Sequence, residues 1–156
     1  MPRVPITRNG YEKLMSELQR LQKEERPSVI KAIEEARGHG DISENAEFES
    51  AKQKQAIIEG KIQELTGKVG NSQIVDLPQD VDGKVVFGCV VMVEDLETGE
   101  VSSYRLVGPY EADVLEGTIS VISPIGKALI GREEGDEVKV QTPKGIRNIE
   151  ILEVQP

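Results

Sequence analysis

The residues Phe48, Ala51, Gln55, Ile58, Ile62 and Leu65 recur in steps of three, four, three, four and three. That spacing lays one side of a helix along a seam, with Gln55 as its polar intruder, and a seam of this kind needs a second helix to cover it. A second set of apolar positions precedes it: Tyr11, Leu14, Leu18 and Leu21, then Val29, Ile33 and Ala36. Gly38-His39-Gly40 stands between the two sets as a helix stop and turn. The pattern predicts an antiparallel helical hairpin. Arms of roughly 26–30 residues would each reach about 40–45 Å at ~1.5 Å per residue.

Local signals refine the two arms. Thr7 reads as the N-cap of the first, with Ile6 and Tyr11 placed for a hydrophobic staple. Arg26-Pro27 should kink or break that arm, because proline lacks a backbone donor and clashes one turn back. Asp41 or Ser43 can cap the second arm, and Gly70 is its expected stop, with Gly67 tolerated inside it.

Asp41 and Glu44 lie three residues apart where the second arm begins, so one helix turn presents both carboxylates on one face. A capping box accounts for this spacing without further function. The chemical reading is that two oxygen ligands offer a hard cation such as Mg²⁺ part of its coordination shell. Two acids alone hold such an ion weakly, so that reading requires a second macromolecule to complete the site. Arg37, His39, Lys52 and Lys54 surround the turn. They form either a solvated face or a small patch for a phosphate backbone. Phe48 is a packing residue at the start of the seam, or a platform on which a base could stack.

Beyond Val75 the grammar changes. Asp76–Gly83 is a polar connector containing proline and glycine, and it divides a hairpin of residues 1–75 from a globular domain of residues 84–156. In the latter, Val85–Val93 and Val101–Val107 read as strands around a Glu97–Glu100 turn, and Thr118–Ile122 as a third strand. Ser123-Pro124 opens a short helix that stops at Gly131. Asp136–Val140 and Ile146–Val154 form a final hairpin. The fold class is therefore α+β: a helical hairpin followed by a small domain with a mainly antiparallel sheet.

Charge and cysteine content narrow the function. The net charge is −9, and residues 1–75 carry equal numbers of acidic and basic side chains, so all the excess acid lies beyond them. Such a chain is not a general phosphate-backbone binder, and any contact with nucleic acid must be local. The single cysteine, Cys89, sits in an apolar run and reads as a core residue, with no intrachain disulfide available to it. No apolar leader or membrane-length run occurs, so a cytoplasmic, membrane-free location is expected. Phosphate loops, zinc-ligand spacings and nucleophile elbows are absent from the sequence, and His39, the only histidine, has no triad partners.

The segments GHGDISENAEF, PITRNGYEKLMSEL, RPSVIKAIEEAR and ISVISPIGKALIGREEGDEV together resemble the bacterial Gre transcript cleavage (elongation) factors, of GreA type, in order and across essentially the whole chain. The resemblance implies an FKBP-like C-terminal domain that docks on RNA polymerase while the hairpin enters the secondary channel. It implies no enzyme in its own right, but a monomeric factor that stimulates the polymerase to cut backtracked RNA and so rescues arrested complexes. On that pattern Asp41 and Glu44 take the catalytic, metal-holding role, sharing Mg²⁺ with polymerase carboxylates; the isolated protein is not expected to hold the ion. Arg37, Lys52, Asn45 and Phe48 fall at positions facing the 3′ end of the nascent RNA. Phe48 stands where the family often has tyrosine, and Gly38 departs from the commoner glutamate, which should loosen the end of the first arm.

Three other readings use the same features, one of them a pure coiled-coil adaptor whose tip is a mere turn. A non-cleaving regulator could block the secondary channel, although inhibitory relatives carry a more densely acidic tip. A prolyl isomerase or chaperone would want an aromatic pocket, for which the globular half offers only Phe87, Tyr104 and Tyr110.

Overall fold

The seam of the second arm is the buried face of a helix. In the computed structural model, which describes residues 3–38 and 46–156, α3 runs over Ala46–Asn71 and buries Ala51, Ile58 and Ile62, with Phe48, Gln55 and Leu65 half-buried between them. The first arm comprises α1 (Arg8–Arg20) and α2 (Arg26–Arg37). Leu18, Leu21, Val29 and Ile33 meet Ala51, Ile58 and Ile62 in one cluster, so the facing seams are the core of this unit. The apolar stripe is narrow, as a two-helix seam requires, and the remaining faces are mostly polar and charged, with Ile30 and Ile57 exposed among them.

Pro27 does not break the arm. Residues Leu21–Glu25 form a π-helical turn, and the Arg26 N–H donates to the Leu21 carbonyl five residues back. Proline then occupies the first turn of α2, where its missing donor costs no helical bond. The widened turn absorbs the steric conflict while keeping both apolar sets on the buried side. Arg26 itself reaches α3: its Nε and second terminal nitrogen lie 2.7 and 2.8 Å from the two carboxylate oxygens of Glu59.

The compact units divide the chain differently from the sequence boundary. One comprises residues 11–71; the other comprises residues 1–10 together with 72–156. The reason is a pairing with no signal in the hydrophobic pattern. β1 (Val4–Ile6) and β2 (Ser72–Ile74) form a two-stranded parallel sheet, with Val4 opposite Ser72 and Ile6 opposite Ile74. The segment expected as a connector belongs to the second unit, and its Val81 enters the core there.

That unit is built on a five-stranded sheet of β3 (Val90–Asp95), β4 (Val101–Val107), β5 (Thr118–Ser120), β6 (Glu137–Thr142) and β7 (Gly145–Gln155). Its strand order is β5-β4-β3-β7-β6, antiparallel except for β4 with β5. The α+β class read from the sequence is therefore the observed one. β3 begins later than its apolar run suggests. Gly88, at φ 88°, turns the chain and donates its N–H to the Leu106 carbonyl at 2.7 Å, so pairing as a strand starts beyond it. α4 (Pro124–Leu129) opens as expected, with the Ser123 hydroxyl accepting from the Gly126 N–H at 3.1 Å. Cys89, Val91, Leu106, Leu129 and Ile151 are fully buried at the centre of the core, so Cys89 is the packing residue its context indicated.

Candidate functional site

The last described residue of the first arm is Gly38. Gly38 keeps a right-handed conformation, φ −65° and ψ −14°, and its N–H is shared between the Glu34 and Glu35 carbonyls at 3.2 and 3.1 Å. The backbone thus keeps helical geometry at Gly38, the residue at which the sequence departs from the commoner glutamate. Arg37, at the end of α2, is exposed. α3 opens with Glu47 and Glu49 in its first turn, where negative charge complements the helix dipole.

The arm ends meet through a ring. The guanidinium carbon of Arg37 lies 5.8 Å from the centroid of Phe48. Phe48 also packs against the buried seam, so its packing role is real and its ring is held. Lys52 follows one helical turn along α3 with its side chain exposed, and Lys54, two residues further, is exposed too. The structure thus brings Arg37 and Phe48 together, and Lys52 sits on the same helix as the ring. Asp41, Glu44, Asn45 and His39 lie outside the described residues, as do the proposed caps Asp41 and Ser43.

Among the described residues no group of three His, Cys, Asp or Glu side chains could hold a metal ion. The donor chemistry of residues 39–45 fits a hard divalent cation only in part: Asp41 and Glu44 could offer oxygen from two side chains, and an octahedral ion needs further ligands from elsewhere.

Two features of the sheet-containing unit had no sequence signal. The Glu111 carboxylate accepts from the Thr7 N–H at 2.8 Å, from the Thr7 hydroxyl, and from the Gly108 N–H at 2.9 Å. Thr7 is at the same time the cap expected of it, its hydroxyl accepting from the Gly10 N–H at 3.1 Å. The second feature is an apolar pocket of about 230 Å³, lined by Tyr104, Ile119, Ile125, Val140 and Ile149 among others. Tyr104 is its only aromatic; Phe87 and Tyr110 are not part of it. Val114, 70% exposed, lines its edge, and Leu115, 97% exposed, follows on the same short turn. The aliphatic lining does not favour the prolyl-isomerase reading.

Among the described residues, no helix is long and apolar enough to cross a membrane.

Comparison with known proteins finds matches over nearly the whole chain. The family described as "Transcription elongation factor, N-terminal" matches residues 4–74, and "Transcription elongation factor, GreA/GreB, C-term" matches residues 79–156. A "Transcription elongation factor GreA" of Syntrophobacter fumaroxidans is 68% identical over 155 residues, covering 99% of each chain. Another, of Halorhodospira halophila, is 53% identical over 157 residues with the same coverage of both chains. Among solved structures, the GreA factor homolog 1 protein of Thermus thermophilus is 36% identical over 99% of each chain, with a TM-score of 0.43. A hairpin of paired helical seams with an α+β sheet unit defines the class, and the chain belongs to the GreA/GreB family of transcription elongation factors.

Proposed function

We propose that this chain acts on a bacterial RNA polymerase by inserting its helical hairpin into the secondary channel and stimulating the polymerase's own cleavage of backtracked RNA. The observation that carries this reading is the hairpin itself. Two arms cover each other's apolar seams and leave an exterior that is mostly polar, with Ile30 and Ile57 exposed on it, and the residues that join the arms in sequence include Asp41 and Glu44. Such an element can reach into a solvated passage without exposing an apolar stripe.

Hydrolysis of a phosphodiester forms a bond from water oxygen to phosphorus and breaks the bond to the leaving 3′ oxygen. Bound Mg²⁺ supplies Lewis-acid stabilisation of the attacking and leaving oxygens. Asp41 and Glu44 would supply oxygen ligands to such an ion and orient the attacking water, and polymerase carboxylates would supply further ligands. Lys52 and Asn45 lie beside the RNA 3′ end. The factor contributes part of a site and is not an enzyme alone. The sheet-containing unit docks outside the channel, and the apolar pocket and the exposed Val114–Leu115 turn give it surface for doing so.

The test is a stalled elongation complex carrying labelled RNA. Addition of the protein should shorten the transcript, and Asp41→Ala or Glu44→Ala should abolish shortening while binding to polymerase survives. Binding without cleavage by the wild-type protein would favour the channel-blocking regulator instead. RNA cutting by the protein free of polymerase would contradict the shared site.

A further inference from the structure

We propose that Arg37 and Phe48 work as one positioning pair, a cation–aromatic brace between the end of α2 and the start of α3 that sets the spacing of the arms on either side of Asp41 and Glu44. This rests on the function proposed above. The 5.8 Å separation of guanidinium carbon and ring centroid is within the ~6 Å range over which the ring's negative face attracts a cation. Among the described residues, the buried ones nearest in sequence to Asp41 and Glu44 are Ala36 on the first arm and Ala51 on the second. Two alanines bury little apolar area and grip weakly. The contact between Arg37 and Phe48 adds hold where the fully buried positions are small side chains. Phe48 is anchored on the seam, so the ring is a fixed platform and the arginine is the group that closes on it.

The assignment divides the basic residues of this region. Arg37 acts on the chain's own geometry, and Lys52, exposed on α3, is left to face the nucleic acid. The same geometry explains how phenylalanine serves at position 48: the brace uses the ring face and requires no hydroxyl.

The experiment compares full-length wild type, Phe48→Leu, Phe48→Tyr, Arg37→Gln and the double variant Phe48→Leu/Arg37→Gln on stalled elongation complexes. It measures the maximal cleavage rate and the half-saturating factor concentration, with a thermal melt of each protein. Phe48→Leu and Arg37→Gln should each lower the maximal rate about two- to fivefold. Half-saturation should not move, Phe48→Tyr should match wild type, and the double variant should be no slower than the slower single variant. Multiplying losses in the double variant would show two independent roles and overturn the pair. So would a Phe48→Tyr as impaired as Phe48→Leu, or a loss confined to half-saturation. If wild type cleaves nothing, the proposed function fails and the positioning role with it. If wild type cleaves and the losses multiply, only the pair fails.

Discussion

Arg147 on β7 closes onto Asp95 at the end of β3, with its Nε and a terminal nitrogen 2.9 and 2.8 Å from the same carboxylate oxygen. The other oxygen accepts from the Glu97 and Thr98 N–H groups at 2.9 and 3.3 Å. One buried carboxylate therefore ties the central pair of strands together and starts the turn into β4. Gly99, at φ 76°, completes that turn by donating its N–H to the Asp95 carbonyl.

This arrangement makes stability depend on pH. The Arg147 guanidinium, then the Glu97 N–H, hold the Asp95 carboxyl below its ordinary value of 3.8. A lowered folded value means that the contribution is fully present above the unfolded value and is lost as pH falls through the folded one. Asp95→Asn should therefore be less stable than wild type at pH 7, and the difference should shrink only below about pH 4. Urea unfolding of both proteins from pH 7 to pH 3 checks it; a difference that does not change with pH would refute the role of the charge.

Glu111→Ala should destabilise the chain by about 1–3 kcal/mol, since Thr7 and Gly108 would lose acceptors for N–H groups in a poorly solvated place. Glu111→Gln, which keeps one carbonyl acceptor, should recover part of the loss. An unfolding midpoint unmoved by Glu111→Ala would mean that water replaces the carboxylate at no cost.

Two glycine-to-alanine substitutions should have opposite signs. At Gly108 an added Cβ would lie 1.9 Å from the Pro5 carbonyl oxygen, a backbone atom that no rotamer change can move. A cost of about 1–3 kcal/mol is expected. At Gly60, inside α3, nothing lies within 4 Å, and alanine should stabilise by roughly 0.5–1 kcal/mol through helix propensity. Thermal melts of the two single variants decide the matter, and the same sign for both would contradict this account.

Cys89 should resist thiol reagents in the native protein. It is fully buried, and burial pushes its thiol above the ordinary 9.0, which reduces the reactive thiolate further. Labelling with an aromatic disulfide at pH 8 should be complete in denaturant and negligible without it. Rapid native labelling would require the core around Val91 and Leu106 to open readily.

The hairpin was legible because its evidence is periodic and local. Phe48 to Leu65 repeats often enough to specify a helix face, and the facing set from Tyr11 to Ala36 specifies what covers it. Ser123-Pro124 and the final hairpin of Asp136–Val140 with Ile146–Val154 were equally readable, since cap and hairpin signals reside within a few neighbouring residues. Asp41, Glu44, Arg37, Lys52, Asn45 and Phe48 were singled out by residue type and by likeness to a family; of these, the structure brings Arg37 and Phe48 into contact.

Other features depended on partners distant in the chain. Three-residue strands such as Val4–Ile6 and Ser72–Ile74 are too short to show a period, and only their mutual pairing makes them strands. The π-helical turn before Pro27 answers a conflict between proline and the need to keep Leu21 and Val29 on one face, which backbone propensity alone does not resolve. Glu111 looks like any surface acid until the folded chain places Thr7 and Gly108 against it. The sequence by itself determined the paired seams, the α+β class and the acids at the turn, because local pattern and residue chemistry encode them. Only the tertiary structure decided that the first strand joins the sheet-containing unit and that Arg37 rests on Phe48, because those contacts exist only once remote segments meet.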